Sequence, residues 1–158
     1  MLTYADVCLT LTAAGAHHSV ALTGSDGLAW LWGRGKEGQL GTADRTDKFE
    51  PQAPMAAMVE RTPQGLYGKT VVHVSAGDWH TAFACSDGQV FTCGRGVEGQ
   101  LGYADVTFAL FPQRVHTLAR QGVKVRQTAC GREHSLFLDQ DDQLWACGNS
   151  SKALLSLC

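Results

Sequence analysis

Residues 33–41 read GRGKEGQLG and residues 94–102 read GRGVEGQLG. Eight of the nine positions match, 61 residues apart (from Gly33 to Gly94). An internal repeat of this period constrains a chain more than any single residue does, because each copy must fold into the same unit and stack on its neighbours. It also governs how individual residues are read. A residue that recurs in phase builds the unit.

The repeat continues upstream. Ala14-Gly15, Ala76-Gly77 and Cys130-Gly131 each stand three residues before a histidine, His18, His80 or His134. A short apolar run follows, then a polar turn at Ser25-Asp26-Gly27, Ser86-Asp87-Gly88 or Asp141-Asp142. The next run carries Trp30, Phe91 or Trp145, then Trp32, Cys93 or Cys147, and ends on Gly33, Gly94 or Gly148. Ten residues after Gly41 and Gly102 stand Pro51 and Pro112, each followed by glutamine.

Runs of four to seven residues rich in Val, Leu, Phe, Trp and Thr, separated by Gly, Asp and Ser, predict short strands. The Ser-Asp-Gly turns predict hairpins, since glycine accepts the positive φ that tight turns need. A further strand is expected to start at each proline, which lacks a ladder donor and suits a strand start or an edge. On the strand 89–93, Phe91 and Cys93 share one face while Val90 and Thr92 share the other. Both faces are apolar or small, which predicts a sheet covered on both sides. Four short strands per unit at this period predict an all-β chain of tandem four-stranded antiparallel blades of a β-propeller. The expected division is 1–41, a first repeat lacking its first strand; 42–102, a complete repeat with a long connector; 103–148, a truncated third repeat; and 149–158, an atypical tail.

The stretch AGDWHTAFACSDGQVFTCGRGVEGQLG, residues 76–102, resembles the repeat of the regulator of chromosome condensation family. The resemblance covers roughly residues 9–148. It implies a seven-bladed propeller fold, of which this chain would hold about three blades, an incomplete ring. Founding members catalyse guanine-nucleotide exchange on the small GTPase Ran and bind chromatin. Many others are interaction modules in ubiquitin ligases, ciliary proteins and signalling scaffolds. Departures from the pattern cluster in the third copy. Asp142 stands where the second copy has Gly88, and Asn149-Ser150-Ser151-Lys152 replaces the Gly-Gln-Leu-Gly segment. The expectation is a fragment or truncated product that needs missing blades or self-association.

Candidate sites divide by phasing. Gly33-x-Gly35-x-x-Gly38 and Gly94-x-Gly96-x-x-Gly99 fit a phosphate-loop pattern, but such loops require a following helix. A polar connector follows instead, so these glycines are read as turns. His18, His80 and His134 are read as structural and expected to donate to neighbouring backbone carbonyls. The six cysteines form no Cys-x-x-Cys pair, which gives no zinc motif, and Cys93 and Cys147 share a packing slot with Trp32. They are read as reduced thiols of an intracellular protein. Trp30, Phe91 and Trp145 are read as blade core. Trp79 occupies a variable slot, a candidate partner anchor. Arg34, Glu37, Arg95 and Glu98 are repeated charges near one rim, either local ion pairs or part of a docking surface.

No catalytic group, cofactor site or metal site is expected. The net charge of −2 gives no pull toward nucleic acid or membrane, and no run of apolar residues is long enough to span a bilayer. The reading is a non-catalytic protein-interaction module, cytoplasmic or nuclear. The alternative is part of an exchange factor for a Ran-like small GTPase, a partner that such a protein distorts without acid–base residues.

Overall fold

The computed structural model describes residues 9–24, 26–54, 56–59, 62–103 and 106–149. They form three antiparallel sheets stacked face to face. The first contains β1 (Leu9–Ala14), β2 (His18–Thr23), β3 (Ala29–Gly33) and β4 (Lys48–Gln52), paired in chain order. A hairpin of β5 (Ala56–Val59) and β6 (Thr62–Gly65) follows. The second sheet pairs β7 (Val71–Ala76), β8 (His80–Cys85), β9 (Val90–Arg95) and β10 (Phe108–Arg114) in chain order. After a single-turn helix, α1 (His116–Arg120), the third sheet pairs β11 (Val125–Cys130), β12 (His134–Asp139) and β13 (Leu144–Gly148). These meandering antiparallel sheets are the blades of a propeller.

The middle sheet explains the stacking. All six residues of β8 are buried, and so are Val90 to Gly94. Phe83, Cys85, Phe91 and Cys93 pack against Val20, Leu22, Ala29 and Leu31 of the first sheet. From its other face, Ala82, Ala84 and Val90 pack against Val125 and Phe137 of the third, with Val115 and Leu118 closing the edge. Small residues on one face and large ones on the other let adjacent sheets interdigitate.

The proline strands depart from the expected phase. Pro51 and Pro112 lie within β4 and β10 rather than at their starts, and each strand completes the preceding sheet. Lys48–Gln52 therefore gives the first sheet four strands, and it is the third sheet that has three among the described residues. In both outer strands the register shifts, between Leu31 and Gly33 and between Ala109 and Gln113. Outer edges and bulges are where proline costs no ladder bond. The long connector that follows Gly41 holds β4 and the β5–β6 hairpin.

Candidate functional site: a rim built on blade-to-blade joints

The phased histidines hold neighbouring sheets together. His18 Nε2 lies 2.8 Å from Thr81 Oγ1, and Thr81 donates to the Gln39 carbonyl at 2.7 Å. One joint later, His80 Nε2 lies 2.8 Å from Ser135 Oγ, and Ser135 donates to the Gln100 carbonyl at 2.8 Å. Each hydroxyl has one proton and spends it on the glutamine carbonyl, so the imidazole must be the donor at Nε2. The expected histidine-to-carbonyl bond is therefore relayed through a hydroxyl of the next sheet. Cys93 and Cys147 thiols approach the same two carbonyls at 3.5 Å. The slot shared with Trp32 thus serves hydrogen bonding as well as packing.

Burial enforces the neutral imidazole. Loss of water, with the nearby His17, pushes His18 down to about 4, and burial with His18 and His134 nearby pushes His80 down to about 3. Neither Nδ1 has a hydrogen-bond partner. Burial raises the thiols too, Cys85 to about 12 and Cys130 to about 11, which disfavours the nucleophilic thiolate. Cys85, Cys93, Cys130 and Cys147 carry thiols, whereas Cys8 and Cys158 lie outside the described residues.

The glycine three residues before each histidine has a steric reason. A Cβ on Gly15 would meet the Gly77 carbonyl oxygen at 2.0 Å, and one on Gly77 would meet the Gly131 oxygen at 2.4 Å. Backbones of successive sheets touch there, where only glycine fits. At the opposite rim the joints close through backbone bonds, from Val71 N–H to Gly27 O (3.1 Å) and from Val125 N–H to Gly88 O (2.9 Å).

On the rim above the histidines, residues of adjacent sheets meet. The Arg34 guanidinium lies 5.1 Å from the centre of the Trp79 ring, and His17 stacks on the same ring at 4.5 Å. At the next joint Arg95 holds the place of Arg34 and Glu133 the place of Trp79, 4.0 Å apart. Arg95 also lies 3.8 Å from Glu98, while Glu37 pairs with Arg45 at 3.8 Å rather than with Arg34. Arg132 extends the row toward Asp78 at 3.8 Å. The structure thus brings Arg34 to Trp79 and Arg95 to Glu98, and sets Glu37 apart with Arg45. His17, Glu133 and Arg132 were not singled out by sequence. Their signal is the column itself, since His17, Trp79 and Glu133 share one position before the phased histidine.

The glycine-rich segments fold as tight turns. Gly38 N–H bonds to Gly35 O and Gly41 N–H to Gly38 O, two successive turns with no helix after them, and the second copy repeats this through Gly96, Gly99 and Gly102. Phe91 is core, whereas Trp30 and Trp145 are half-buried, and Trp145 donates to Asp139 at 2.8 Å.

The regulator of chromosome condensation (RCC1) repeat model matches residues 26–84 and 87–138, and a second model of the same repeat matches 71–100 and 125–152. The chain belongs to the RCC1 repeat family. Among similar proteins is the probable E3 ubiquitin-protein ligase HERC3 of Homo sapiens, 37% identical over 93% of this chain and 13% of its own length. The ultraviolet-B receptor UVR8 of Arabidopsis thaliana is 32% identical over 85% of this chain and 28% of its own. The chain therefore spans a small part of each of these RCC1 relatives. The crystal structure of human WBSCR16 matches with a TM-score of 0.77 at 26% identity, covering 96% of this chain and 37% of that one. Prp20p of Saccharomyces cerevisiae, at 22% identity and a TM-score of 0.69, shares the fold. Among the described residues no helix is long and apolar enough to cross a membrane.

Proposed function

We propose that this chain is a protein-interaction module whose docking surface is the rim carrying Arg34, Trp79, Arg95, Glu98 and Glu133. The observation that supports it is the stack of Arg34 and His17 on Trp79 across a joint, continued at the next joint by Arg95 and Glu133. An aromatic ring flanked by an arginine and an imidazole, half-exposed and held by rigid sheets, is the composition of an interface anchor. Trp79→Ala abolishes partner capture while Lys69→Ala, at the opposite rim, leaves it intact, as read by quantitative co-precipitation of a cross-linked partner. Equal capture by both variants overturns the assignment of the rim.

A second reading is part of an exchange factor for a small GTPase. Its support is that the structural neighbour Prp20p is described by its binding to Gsp1p and histones. Release of labelled GDP from a Ran-like GTPase tests it. Stimulation by this chain that is lost in Trp79→Ala supports exchange at this rim, and release at the unstimulated rate removes it.

A further inference from the structure

Where the second sheet meets the third, at the rim away from Trp79, a cavity of about 160 Å³ opens between the Asp87-Gly88 turn, the end of β10 and the start of β11. Its wall is apolar along Val90, Val115 and Leu118 and cationic at Arg114 and Lys124. Both cations stand on fixed backbone. Arg114 ends β10 opposite Phe91, and the next N–H, of Val115, bonds to the Val90 carbonyl at 2.9 Å. Lys124 abuts the turn, where a Cβ on Gly88 would meet the Lys124 Cβ at 2.7 Å. Among the described residues neither side chain is in an ion pair. The acid in the lining, Asp87, is already held by Lys69 at 2.7 Å. Arg114 Nε is buried without a hydrogen-bond partner, which costs free energy until an acceptor reaches it. The preceding joint closes in the same way, with Val71 N–H on Gly27 O for Val125 N–H on Gly88 O, and Ser86 N–H on Thr70 O for Gln140 N–H on Lys124 O. Lys124 therefore takes the place of Thr70. Counted from Pro112 and Pro51, Arg114 takes the place of Ala53. A joint closes without either cation, so neither charge is needed to build it.

We propose that this cavity takes a glutamate side chain of a partner polypeptide, with the carboxylate on Arg114 and Lys124 and the methylenes against Val90, Val115 and Leu118. The two uncompensated cations select an anion, and a guanidinium favours a carboxylate geometrically as well as by charge. The apolar wall selects a short aliphatic stem over a fully hydrated ion such as phosphate. The volume selects a single side chain, since whole small-molecule ligands fill about 300–1,000 Å³. The site lies at the rim opposite Trp79 and does not rest on the reading proposed there.

The blocked pentapeptide Gly-Gly-Glu-Gly-Gly is titrated into the isotope-labelled full chain and followed by NMR. The expected result is saturable movement of the Arg114 Nε–H signal and of the Val90 and Val115 amides, with the glutamine version of the peptide about tenfold weaker or more. Arg114→Ala combined with Lys124→Thr copies the preceding joint, so it should melt like the parent chain and lose the binding, whereas Trp79→Ala should keep it. Equal shifts from the glutamate and glutamine peptides, shifts centred on the Trp79 rim, or undiminished binding by the double variant overturns the proposal. Inorganic phosphate or glutarate binding more tightly than the peptide overturns it as well, in favour of a free anion.

Discussion

Thr81 and Ser135 fill one position with two different side chains, and the difference is a methyl group that the joint does not use. The hydroxyl is what both supply, accepting from an imidazole and donating to a glutamine carbonyl. Thr81→Val therefore strands the buried Nε2–H of His18 and leaves the Gln39 carbonyl only the weak Cys93 thiol. It should lower unfolding stability by about 2–4 kcal/mol, whereas Thr81→Ser costs less than about 1.5 kcal/mol; urea midpoints separate them. The same joint sets a pH dependence. Unfolded, His18 and His80 titrate near 6.5, and folded they titrate near 4 and 3. Below pH 6.5 the unfolded chain binds more protons, so stability is full above that value and falls as the pH drops toward 4. Each histidine contributes a slope of about 1.4 kcal/mol per pH unit in that window. Denaturation at pH 7, 6 and 5 measures it, and His80→Gln should flatten the curve. The sequence shows that these histidines share a role. It does not show the partner, which lies 63 residues away for His18 and 55 for His80.

At the level of strands and turns, periodicity was a reliable guide where the signal is local. The hairpin through Ser86-Asp87-Gly88 and the doubly covered strand through Phe91 and Cys93 can both be read from alternation and turn chemistry. Which sheet each proline strand joins is not legible locally, because adjacency in sequence does not say which sheet an edge strand pairs with. Helix α1 leaves no legible signal in the sequence, because five residues are too few to show a 3.6-residue period. The glycine loops bear a sharper prediction. Gly77→Ala places a carbon against the backbone of Gly131, which cannot rotate away as a side chain can. A loss of about 3 kcal/mol or more in calorimetric stability is expected, well above the cost of glycine-to-alanine changes elsewhere.

Across the whole molecule, protection should follow how many sides of a sheet are covered. The second sheet is covered on both faces, and its strands β8 and β9 are buried almost throughout. Among the described residues the third sheet is packed on one face, and Leu144 is 53% exposed. Native-state hydrogen exchange should therefore be slowest in β8 and fastest in β13, with the first sheet between. Uniform exchange across the three sheets would contradict this account of the stack.

The joint also has a direction. Sheet one contributes the imidazole and the carbonyl, and sheet two contributes the hydroxyl between them and the Cys93 thiol on the same carbonyl. Sheet two then offers its own imidazole and carbonyl to sheet three. Like a head-to-tail polymer, the stack has unlike ends, so a repeat inserted in its native orientation meets a matching neighbour on each side. Lengthening this protein by whole repeats therefore requires no new recognition chemistry, only another hydroxyl placed one residue after another histidine.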